Sequence, residues 1–199
     1  MRELSLHILD ALENSLEAGA TAIELVIEED MGADRLTITV RDNGRGMSKA
    51  QVDRIFDPFF TTRTTRHVGL GVPLFRAAAQ RCNGDLTVTS QPGQGTTLQA
   101  TFQHSHIDRA PLGDVRGTLL AVLLARPFDM HYLHRVDGQE FEFSTVDIRA
   151  ELGEIPLTLP PVRRWLQEFI AEGEKNLSLL SAPVSGASLG EENLRRKSQ

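Results

Sequence analysis

The sequence predicts an α/β fold in which helices alternate with a largely antiparallel sheet. Apolar residues recur at helical spacing over residues 3–17, which indicates an amphipathic helix. Apolar and polar residues alternate one by one over residues 22–28 and 36–41, as they do in half-buried strands. The turn MGAD separates these two runs, so we expect them to form a hairpin.

Further elements of the first half follow from capping and turn signals. Ser48 followed by Gln51 is typical of a capping box and predicts a short helix. Asn83-Gly84 predicts the end of a second helix, and the turn PGQG predicts a further hairpin. The predicted bounds are 72–82 for this helix and 85–90 and 96–103 for the two strands. We expect the first domain to span residues 1–103.

The second half is expected to be a small α+β domain over residues 104–177. A strongly apolar stretch predicts a buried helix over residues 115–125. Asp137-Gly138 lies between two alternating runs and predicts a tight hairpin, because both residues tolerate the positive φ angles of that turn. A short helix is expected over residues 145–152.

The last predicted helix spans residues 161–175 and begins with proline, which favours the first turn of a helix. Its periodicity predicts a buried apolar face made of Trp165, Leu166, Phe169 and Ile170. The remaining residues are polar and rich in serine, glycine and charge, so we expect residues 178–199 to be a disordered tail.

The composition limits the classes of function. The chain carries a formal net charge of −6, which makes it a poor electrostatic match for nucleic acid or for an anionic membrane surface. It has no apolar run long enough to span a bilayer and no signal-peptide pattern. The single cysteine, Cys82, excludes an internal disulfide, so the cytoplasm is the expected compartment. We expect neither a nucleic-acid nor a membrane partner.

The first half carries several short motifs that suit a nucleotide. Asn14 offers an amide oxygen, and Mg²⁺ takes oxygen ligands together with substrate phosphates. Asp42 ends a predicted strand, where its carboxylate could accept a hydrogen bond from an exocyclic amine. Gly44 and Gly46 follow it and let the backbone approach a flat ligand. Thr96 follows the glycines of the PGQG turn and completes the set.

A second group of residues suits phosphates. Gly69 and Gly71 precede the predicted helix over residues 72–82, and the N-terminus of a helix binds anions. Arg63 and Arg66 lie in the polar stretch just before it. Each motif alone is weak, since a helical asparagine is usually a surface residue and Asp-Asn-Gly is usually a plain turn. The prediction depends on their occurrence together and in one order.

Together these motifs resemble the sequence boxes of the GHKL ATPase superfamily. HILDALENSLEAGAT is similar to the N-box and RDNGRGM to the G1 box. IFDPFFTTR resembles the F-box of sensor histidine kinases, and VGLGVPLFRAAAQRCNGDLTVTSQPGQGTTLQATF resembles their G2 and G3 boxes. The resemblance covers roughly residues 3–103. It implies a Bergerat fold, a two-layer α/β sandwich that binds ATP between the sheet and the helices under a lid.

The resemblance also implies a role for each candidate residue around the adenine and the metal. Asn14 would bind the Mg²⁺ that bridges the triphosphate. Asp42 would bind the adenine amino group, and Thr96 would complete the hydrogen bonds to the adenine. Gly44 and Gly46 would shape the adenine pocket.

On the phosphate side, the resemblance implies that Gly69, Leu70 and Gly71 lie under the phosphates. Arg63 and Arg66 would belong to the lid, from which they could reach the phosphates. The lid sequence is shorter than that of many histidine kinases, so closure of the site is expected to be incomplete or to need a partner.

Asp10 is the candidate catalytic residue. It lies one helical turn before Asn14, so both side chains project from the same face of the first helix. It occupies the position at which MutL-type ATPases and anti-sigma kinases carry a general-base glutamate. Two roles stay open, activation of the attacking water or the holding of a metal-bound water. Because aspartate is one methylene shorter than glutamate, we expect slow or conditional ATP hydrolysis.

Several functions suit an ATP-binding domain of this kind. No helix with a phosphoacceptor histidine is expected before the N-box, so autophosphorylation in cis is not expected. We favour an ATP-binding regulatory switch whose residues 104–177 dock a protein partner. Stand-alone proteins of this type occur beside genes for anaerobic NADH-linked iron hydrogenases, which suggests such a redox complex as the partner. The alternatives are the catalytic half of a split histidine or anti-sigma kinase, and a non-catalytic scaffold subunit.

Overall fold

The computed structural model describes residues 2–57 and 70–180, with side chains described up to Leu177. The helices in these residues are α1 (Leu4–Glu17), α2 (Lys49–Val52), α3 (Gly71–Arg81), α4 (Val115–Ala125), α5 (Thr145–Leu152) and α6 (Pro160–Leu180). The strands are β1 (Ala22–Asp30), β2 (Arg35–Asp42), β3 (Leu86–Ser90), β4 (Thr96–Gln103), β5 (Asp129–Val136) and β6 (Gln139–Ser144).

The described strands form one six-stranded sheet in the order β3-β4-β2-β1-β5-β6. Neighbouring strands pair antiparallel, except for β1 and β5, which run parallel. The predicted hairpin of β1 and β2 is confirmed, with Leu25 opposite Val40 and Ile27 opposite Ile38. The sheet therefore places the ends of β2 and the start of β4 side by side, at the edge where Asp42 faces Thr96.

Helices cover one face of this sheet. Along β1, Leu25 and Ile27 are fully buried, whereas the intervening Glu24 and Val26 are only partly buried. The buried residues share one hydrophobic core with residues of α1, α3, α4 and α6. Full burial of such a side chain contributes about 1.5–3 kcal/mol to the free energy of unfolding. The fold is thus a two-layer α/β sandwich, as predicted.

Strands β5 and β6 extend the same sheet rather than forming a sheet of their own. The pairing of β5 with β1 runs from its first residue, Asp129, to its last, Val136. The predicted hairpin at Asp137-Gly138 is confirmed, and both residues have the positive φ angles, 47° and 84°, that its turn requires. The boundary at residue 103 stays a prediction about domains, and the sheet and the core continue across it.

Helix α6 buries Leu166 and Ile170 as predicted, but the prediction that it also buries Trp165 is wrong. Trp165 is 45% exposed and stacks on Phe169 with a ring-centroid separation of 5.3 Å. Adjacent helical residues differ in direction by about 100°. The side chain of Trp165 therefore lies at the edge of the apolar face, whereas Leu166 lies at its centre.

The predicted disordered tail over residues 178–199 overlaps the end of helix α6. Helix α6 continues to Leu180, so residues 178–180 are helical. Residues 181–199 lie outside the described residues, and the prediction for them stays untested.

Candidate nucleotide-binding site

The carboxylate of Asp42 is the best-defined polar group of the candidate site. Asp42 is the last residue of β2 and is 7% exposed. Its Oδ1 accepts hydrogen bonds from the backbone N–H groups of Gly44 at 2.8 Å and Thr96 at 3.3 Å. Its Oδ2 accepts one from the hydroxyl of Ser15 on α1, at 2.9 Å. An ionised carboxylate has about four lone-pair sites, so it retains capacity for one more donor such as an adenine amine.

Gly46 and Gly95 are required by the close packing of two turns. A Cβ atom on Gly46, whose φ is +63°, would lie 1.9 Å from the carbonyl oxygen of Gln91. A Cβ atom on Gly95, whose φ is +80°, would lie 1.8 Å from the carbonyl oxygen of Asp42. The sequence predicts that Gly44 and Gly46 have a ligand as their close neighbour, but the close neighbour of Gly46 in the described structure is the backbone of Gln91. Their role beside adenine stays a prediction.

Ser90 joins the same two turns to Thr96. Its hydroxyl donates to the carbonyl oxygen of Gly95 at 2.8 Å and accepts from the backbone N–H of Met47 at 2.8 Å. The hydroxyls of Ser90 and Thr96 lie 3.0 Å apart, which is hydrogen-bond distance. Thr96 is therefore held by its backbone against Asp42 and by its side chain against Ser90.

Sequence reasoning missed both serines. Ser90 ends a strand in which threonines alternate with leucine and valine, and a polar residue at such a strand end carries no distinguishing pattern. Ser15 directly follows Asn14, and this position beside a candidate ligand was the one signal that could have identified it. The hydroxyl of Ser15 also lies 3.2 Å from the carbonyl oxygen of Ala11, so its single proton is shared between that acceptor and the nearer Oδ2 of Asp42.

Asp10 lies against the first residue of α3. A Cβ atom on Gly71 would lie 3.4 Å from both Cβ and Oδ2 of Asp10. Asp10 and Asn14 are both partly buried on α1. The helix dipole favours a negative charge at a helix N-terminus, so the start of α3 is a suitable environment for the carboxylate. The fold thus brings Asp10 and Gly71 together, as the predicted site requires.

His7 contributes to this arrangement through packing. Its ring stacks on Phe75 of α3, with a centroid separation of 4.8 Å and an interplanar angle of 6°. The ring is buried, and its Nδ1 has no hydrogen-bond partner in the described part of the chain. Burial lowers the pKa of His7 to about 4, because the charged form loses hydration. His7 is therefore neutral at neutral pH and helps to set the spacing of α1 and α3.

The predicted phosphate-binding residues are only partly described. Arg63, Arg66 and Gly69 lie outside the described residues. Gly71 is the first residue of α3, and Leu70 just before it is 46% exposed. The roles of these residues toward phosphates stay predictions.

A cavity of about 580 Å³ opens at the ends of the central strands. Asp42 and Thr96 line it, together with Glu24 and Arg41, whose side chains lie on the face of the sheet opposite the core. Among the described residues, none from α1 lines this cavity. The cavity therefore lies on the face of the sheet opposite α1 and is separate from the space between α1 and the sheet.

One layer of helices covers a mixed sheet, with the buried carboxylate of Asp42 at the end of a central strand and the partly buried Asp10 beside the start of a helix, and this arrangement is that of an α/β sandwich domain. The family model described as "Histidine kinase-, DNA gyrase B-, and HSP90-like ATPase" matches residues 2–106. The chain belongs to this family. Its first half is a GHKL ATPase domain similar to the ATP-binding domains of histidine kinases.

Several of the curated relatives are sensor kinases by name. The chain is 38% identical over 109 residues to the sensor protein kinase FleS of Pseudomonas aeruginosa, a match that covers 55% of this chain and 26% of FleS. It is 31% identical over 102 residues to the sensor histidine kinase WalK of Bacillus subtilis, covering 49% of this chain and 16% of WalK. The chain thus spans about a quarter or less of the length of these relatives.

Among solved structures, the crystal structure of the N-terminal domain of a DNA repair protein matches 71% of this chain and 52% of that chain, with a TM-score of 0.49 and 14% identity. Within residues 2–57 and 70–180, no helix is both long and apolar enough to cross a membrane.

Proposed function

We propose that this chain binds Mg·ATP between α1 and the ends of β2 and β4 and acts as a nucleotide-dependent regulatory switch. The carrying observation is the Asp42 carboxylate, which Ser15, Gly44 and Thr96 hold in place with three hydrogen bonds. Such a pre-positioned acceptor suits an adenine amino group, because its geometry needs no rearrangement on binding. Membership of the ATPase family supports the same ligand.

The metal would be shared between the protein and the nucleotide. In the described residues, no group of three or more histidine, cysteine, aspartate or glutamate side chains could hold a metal ion. Mg²⁺ commonly keeps several waters and takes most of its remaining ligands from substrate phosphates. The amide oxygen of Asn14, partly buried on α1, is the protein ligand that we propose.

Hydrolysis is the finer part of the proposal. Asp10 lies beside the start of α3, where a bound phosphate and an attacking water would meet. We propose that it orients or deprotonates that water and that turnover is slow or depends on a partner. The alternative role of Asp10 is to hold a metal-bound water. Both roles place the side chain at the same location, so only kinetic measurements distinguish them.

The test of nucleotide binding is calorimetry of the full chain with ATP and excess Mg²⁺. The change Asp42→Asn replaces a charged acceptor and should weaken ATP binding roughly tenfold or more, because a hydrogen bond to a charged group contributes about 1.5–3 kcal/mol. Asp108→Asn, at an exposed carboxylate in the segment after β4, is the matched control. Unchanged ATP affinity in a folded Asp42→Asn variant would exclude this assignment.

A split kinase is the second candidate function, and the similarity to FleS and WalK, both sensor kinases by name, favours it. It predicts transfer of the γ-phosphate of ATP to a histidine, serine or threonine of a separate protein. Phosphate released to water would instead support the ATPase switch. A non-catalytic scaffold is the third candidate, and it predicts no measurable binding of ATP.

We propose that the protein partner binds residues 104–177. Exposed apolar side chains in this stretch support a docking surface: Val146, Ile155, Leu159 and Trp165. The association with an anaerobic NADH-linked iron hydrogenase, in the cytoplasm, is proposed from the sequence resemblance alone. Affinity purification of the tagged chain from its native host tests it, and the absence of every hydrogenase subunit from the purified complex would exclude it.

A further inference from the structure

A cluster of ionisable side chains joins four parts of the fold at the end of the sheet away from Asp42. Glu29 comes from β1, His104 from the segment after β4, Tyr132 and His134 from β5, and Glu174 from α6. On β1, Ile23 lies opposite Asp42, and Glu29 lies roughly 20 Å further along the strand. The cluster is therefore separate from the proposed nucleotide site.

His134 is held between two carboxylates, one at each ring nitrogen. Its Nδ1 lies 2.9 Å from Oε2 of Glu174, and its Nε2 lies 3.1 Å from Oε1 of Glu29. A neutral imidazole has one N–H group and an ionised carboxylate has none, so only the doubly protonated ring donates both hydrogen bonds. The side chain of His134 is 6% exposed. The fold thus encloses a positive charge that is paired on both sides.

The second oxygen of each carboxylate also has a partner. Oε1 of Glu174 accepts a hydrogen bond from the hydroxyl of Tyr132 at 2.7 Å, and Oε2 of Glu29 lies 2.7 Å from Nε2 of His104. Tyr132 is fully buried, and burial and the charge of Glu174 raise its pKa well above the usual value, because both disfavour the phenolate. Tyr132 therefore remains a donor as the pH rises, whereas His134 can lose its proton.

Helix α6 meets the sheet differently along its length. Its first half buries Leu166 and Ile170 in the core that it shares with the sheet. At Gly173 the helix comes so close to β6 that a Cβ atom there would overlap the ring of Phe141. Beyond this contact, Glu174 bonds to β5, and Leu177 is buried outside the main core. Polar contacts therefore carry a larger share of the attachment in the last turns of α6 than in its first half.

A cavity of about 370 Å³ gives the cluster access to water. It lies between the start of α4 and the second half of α6, and Glu29, His134 and Glu174 line it. The other charged residues of its lining are exposed: Asp114 and Arg116 at the start of α4, and Lys175 on α6. Exposed charges are screened by solvent, so they act on His134 less than its two bonded carboxylates do. The cavity therefore offers the proton of His134 a route to solvent that does not require the sheet to unfold.

We propose that His134, Glu29 and Glu174 form a proton-dependent latch, which holds the last turns of α6 on β5 while His134 is charged and releases them when it is neutral. Loss of the proton removes one of two charge-assisted hydrogen bonds and turns a ring lone pair toward a carboxylate. It also leaves two carboxylates close together without the positive charge between them. Release of the helix end relieves both effects, because it places Glu174 in water while Glu29 stays on the sheet with His104.

The direction of the pH dependence follows from proton linkage. Burial lowers the pKa of His134, but its hydrogen bonds to Glu174 and Glu29 outweigh burial and raise the pKa to about 9. In the open latch the ring regains water and loses one carboxylate, so its pKa falls toward the ordinary value of 6.5. The closed state is thus fully favoured at a pH below the pKa of the open state, and this advantage is lost as the pH rises through about 9.

The experiment is amide hydrogen exchange of the full chain without nucleotide, between pH 6.5 and 9. Protection factors remove the intrinsic effect of pH on exchange. Protection of residues 174–180 should fall roughly threefold to tenfold per pH unit above about pH 7, since closing the latch binds up to one proton. Protection of residues 161–170 should stay within about twofold. The emission of Trp165, the single tryptophan of the chain and part of the first half of α6, should not shift.

Two variants remove the charges of the latch. His134→Gln should give low protection of residues 174–180 at every pH. Glu174→Gln keeps an acceptor for Tyr132 and should lower the same protection at neutral pH, which keeps the test available if His134→Gln does not fold. The matched controls are His131→Gln, on the same strand but at the cavity of the opposite sheet face, and Glu172→Gln, at an exposed carboxylate of α6. Both controls should reproduce the wild-type profile.

Protection of residues 174–180 that does not change with pH in the wild type, or a pH dependence that survives in His134→Gln, would overturn the latch. Simultaneous loss of protection in α6 and β1 would mean that the whole domain unfolds, and a shift in the emission of Trp165 would mean that all of α6 leaves the sheet. Either result would overturn a latch confined to the helix end. Failure of ATP binding would leave the latch unaffected, because it shares no residue with the proposed nucleotide site.

Discussion

The hydroxyl of Ser15 donates a hydrogen bond of 2.9 Å to Oδ2 of Asp42, and this contact joins the first helix of the chain to the end of a central strand. Both residues are nearly fully buried, at 4% and 7% exposure. Helix α1 and strand β2 are thus linked at the point where adenine recognition is proposed. Any shift of α1 would be transmitted to the orientation of the Asp42 carboxylate.

We expect Ser15→Ala to lower the free energy of unfolding by about 1–2 kcal/mol, since it removes a buried hydrogen bond to a charged group. ATP affinity should fall roughly threefold to tenfold, because Oδ2 loses the donor that orients it. Urea unfolding and calorimetry measure the two effects. Ser5→Ala is the control, since the hydroxyl of that buried serine bonds to Glu3 and not to Asp42. Equal ATP affinity in both variants would contradict the orienting role.

Asn14→Ala should weaken the binding of Mg·ATP more than the binding of ATP in chelator, because it removes an oxygen ligand from a hard cation. Titration calorimetry with and without EDTA gives both affinities. Glu13→Ala, at the exposed neighbour on the same helix, should change neither. Losses of the same size under the two conditions would make Asn14 a structural residue only.

Asp10 is tested by steady-state phosphate release. If it activates water, Asp10→Asn should slow turnover by roughly a hundredfold or more, and Asp10→Glu should retain or raise it, with ATP affinity nearly unchanged in both. The longer glutamate reaches further from α1 toward the start of α3, beside which Asp10 lies. Identical turnover by all three proteins would rule out general-base catalysis by this residue.

The buried His7 predicts a loss of stability in mild acid. Its pKa is about 4 in the folded chain and 6.5 when exposed, so the unfolded chain binds the extra proton first as the pH falls. The contribution is present above pH 6.5 and is lost as the pH falls to about 4, by about 3 kcal/mol for the full difference. His7→Phe keeps a ring on Phe75 and should abolish this part of the pH dependence, as urea unfolding at several pH values would measure. Parallel profiles for the two proteins would contradict the assignment.

His134 predicts the opposite dependence. Burial lowers its pKa, but hydrogen bonds to Glu174 at 2.9 Å and Glu29 at 3.1 Å outweigh burial and raise it to about 9. A raised folded pKa contributes stability that is complete below pH 6.5 and is lost as the pH rises through about 9. We therefore expect the free energy of unfolding to fall over this range by on the order of 3 kcal/mol.

The matched variants for this prediction are His134→Gln, which should flatten the profile at alkaline pH, and His131→Gln on the same strand. His131 also contacts two glutamates but is 37% exposed, so loss of these solvent-screened pairs should change the free energy of unfolding by less than about 1 kcal/mol. If the free energy of unfolding of His134→Gln falls with alkaline pH as steeply as that of the wild type, then His134 does not carry the stabilising positive charge.

The sequence by itself determined the local elements and the order of the site motifs. The apolar run over residues 115–125 forms α4 within those bounds, and Asp137-Gly138 makes the tight turn between β5 and β6. Such features depend on periodicity and on the conformational freedom of single residues, both of which act over a few positions along the chain. The predicted positions of Asp10, Asn14 and Asp42 on one helix and at one strand end follow from the same local rules.

Only the tertiary structure decided which distant residues meet. The parallel pairing of β5 with β1, the hydrogen bond from Ser15 to Asp42, and the bonds from Leu4 and Ser5 to Pro111 and Leu112 join segments far apart in sequence. Trp165 is partly exposed for the same reason. Periodicity predicts where the apolar stripe of a helix lies, but not how much of that stripe the neighbouring elements cover. The packing of whole elements sets the strand order, the side-chain partners and the depth of burial. The free energy of that packing comes from residues that lie far apart in the sequence, so no short stretch of sequence determines it.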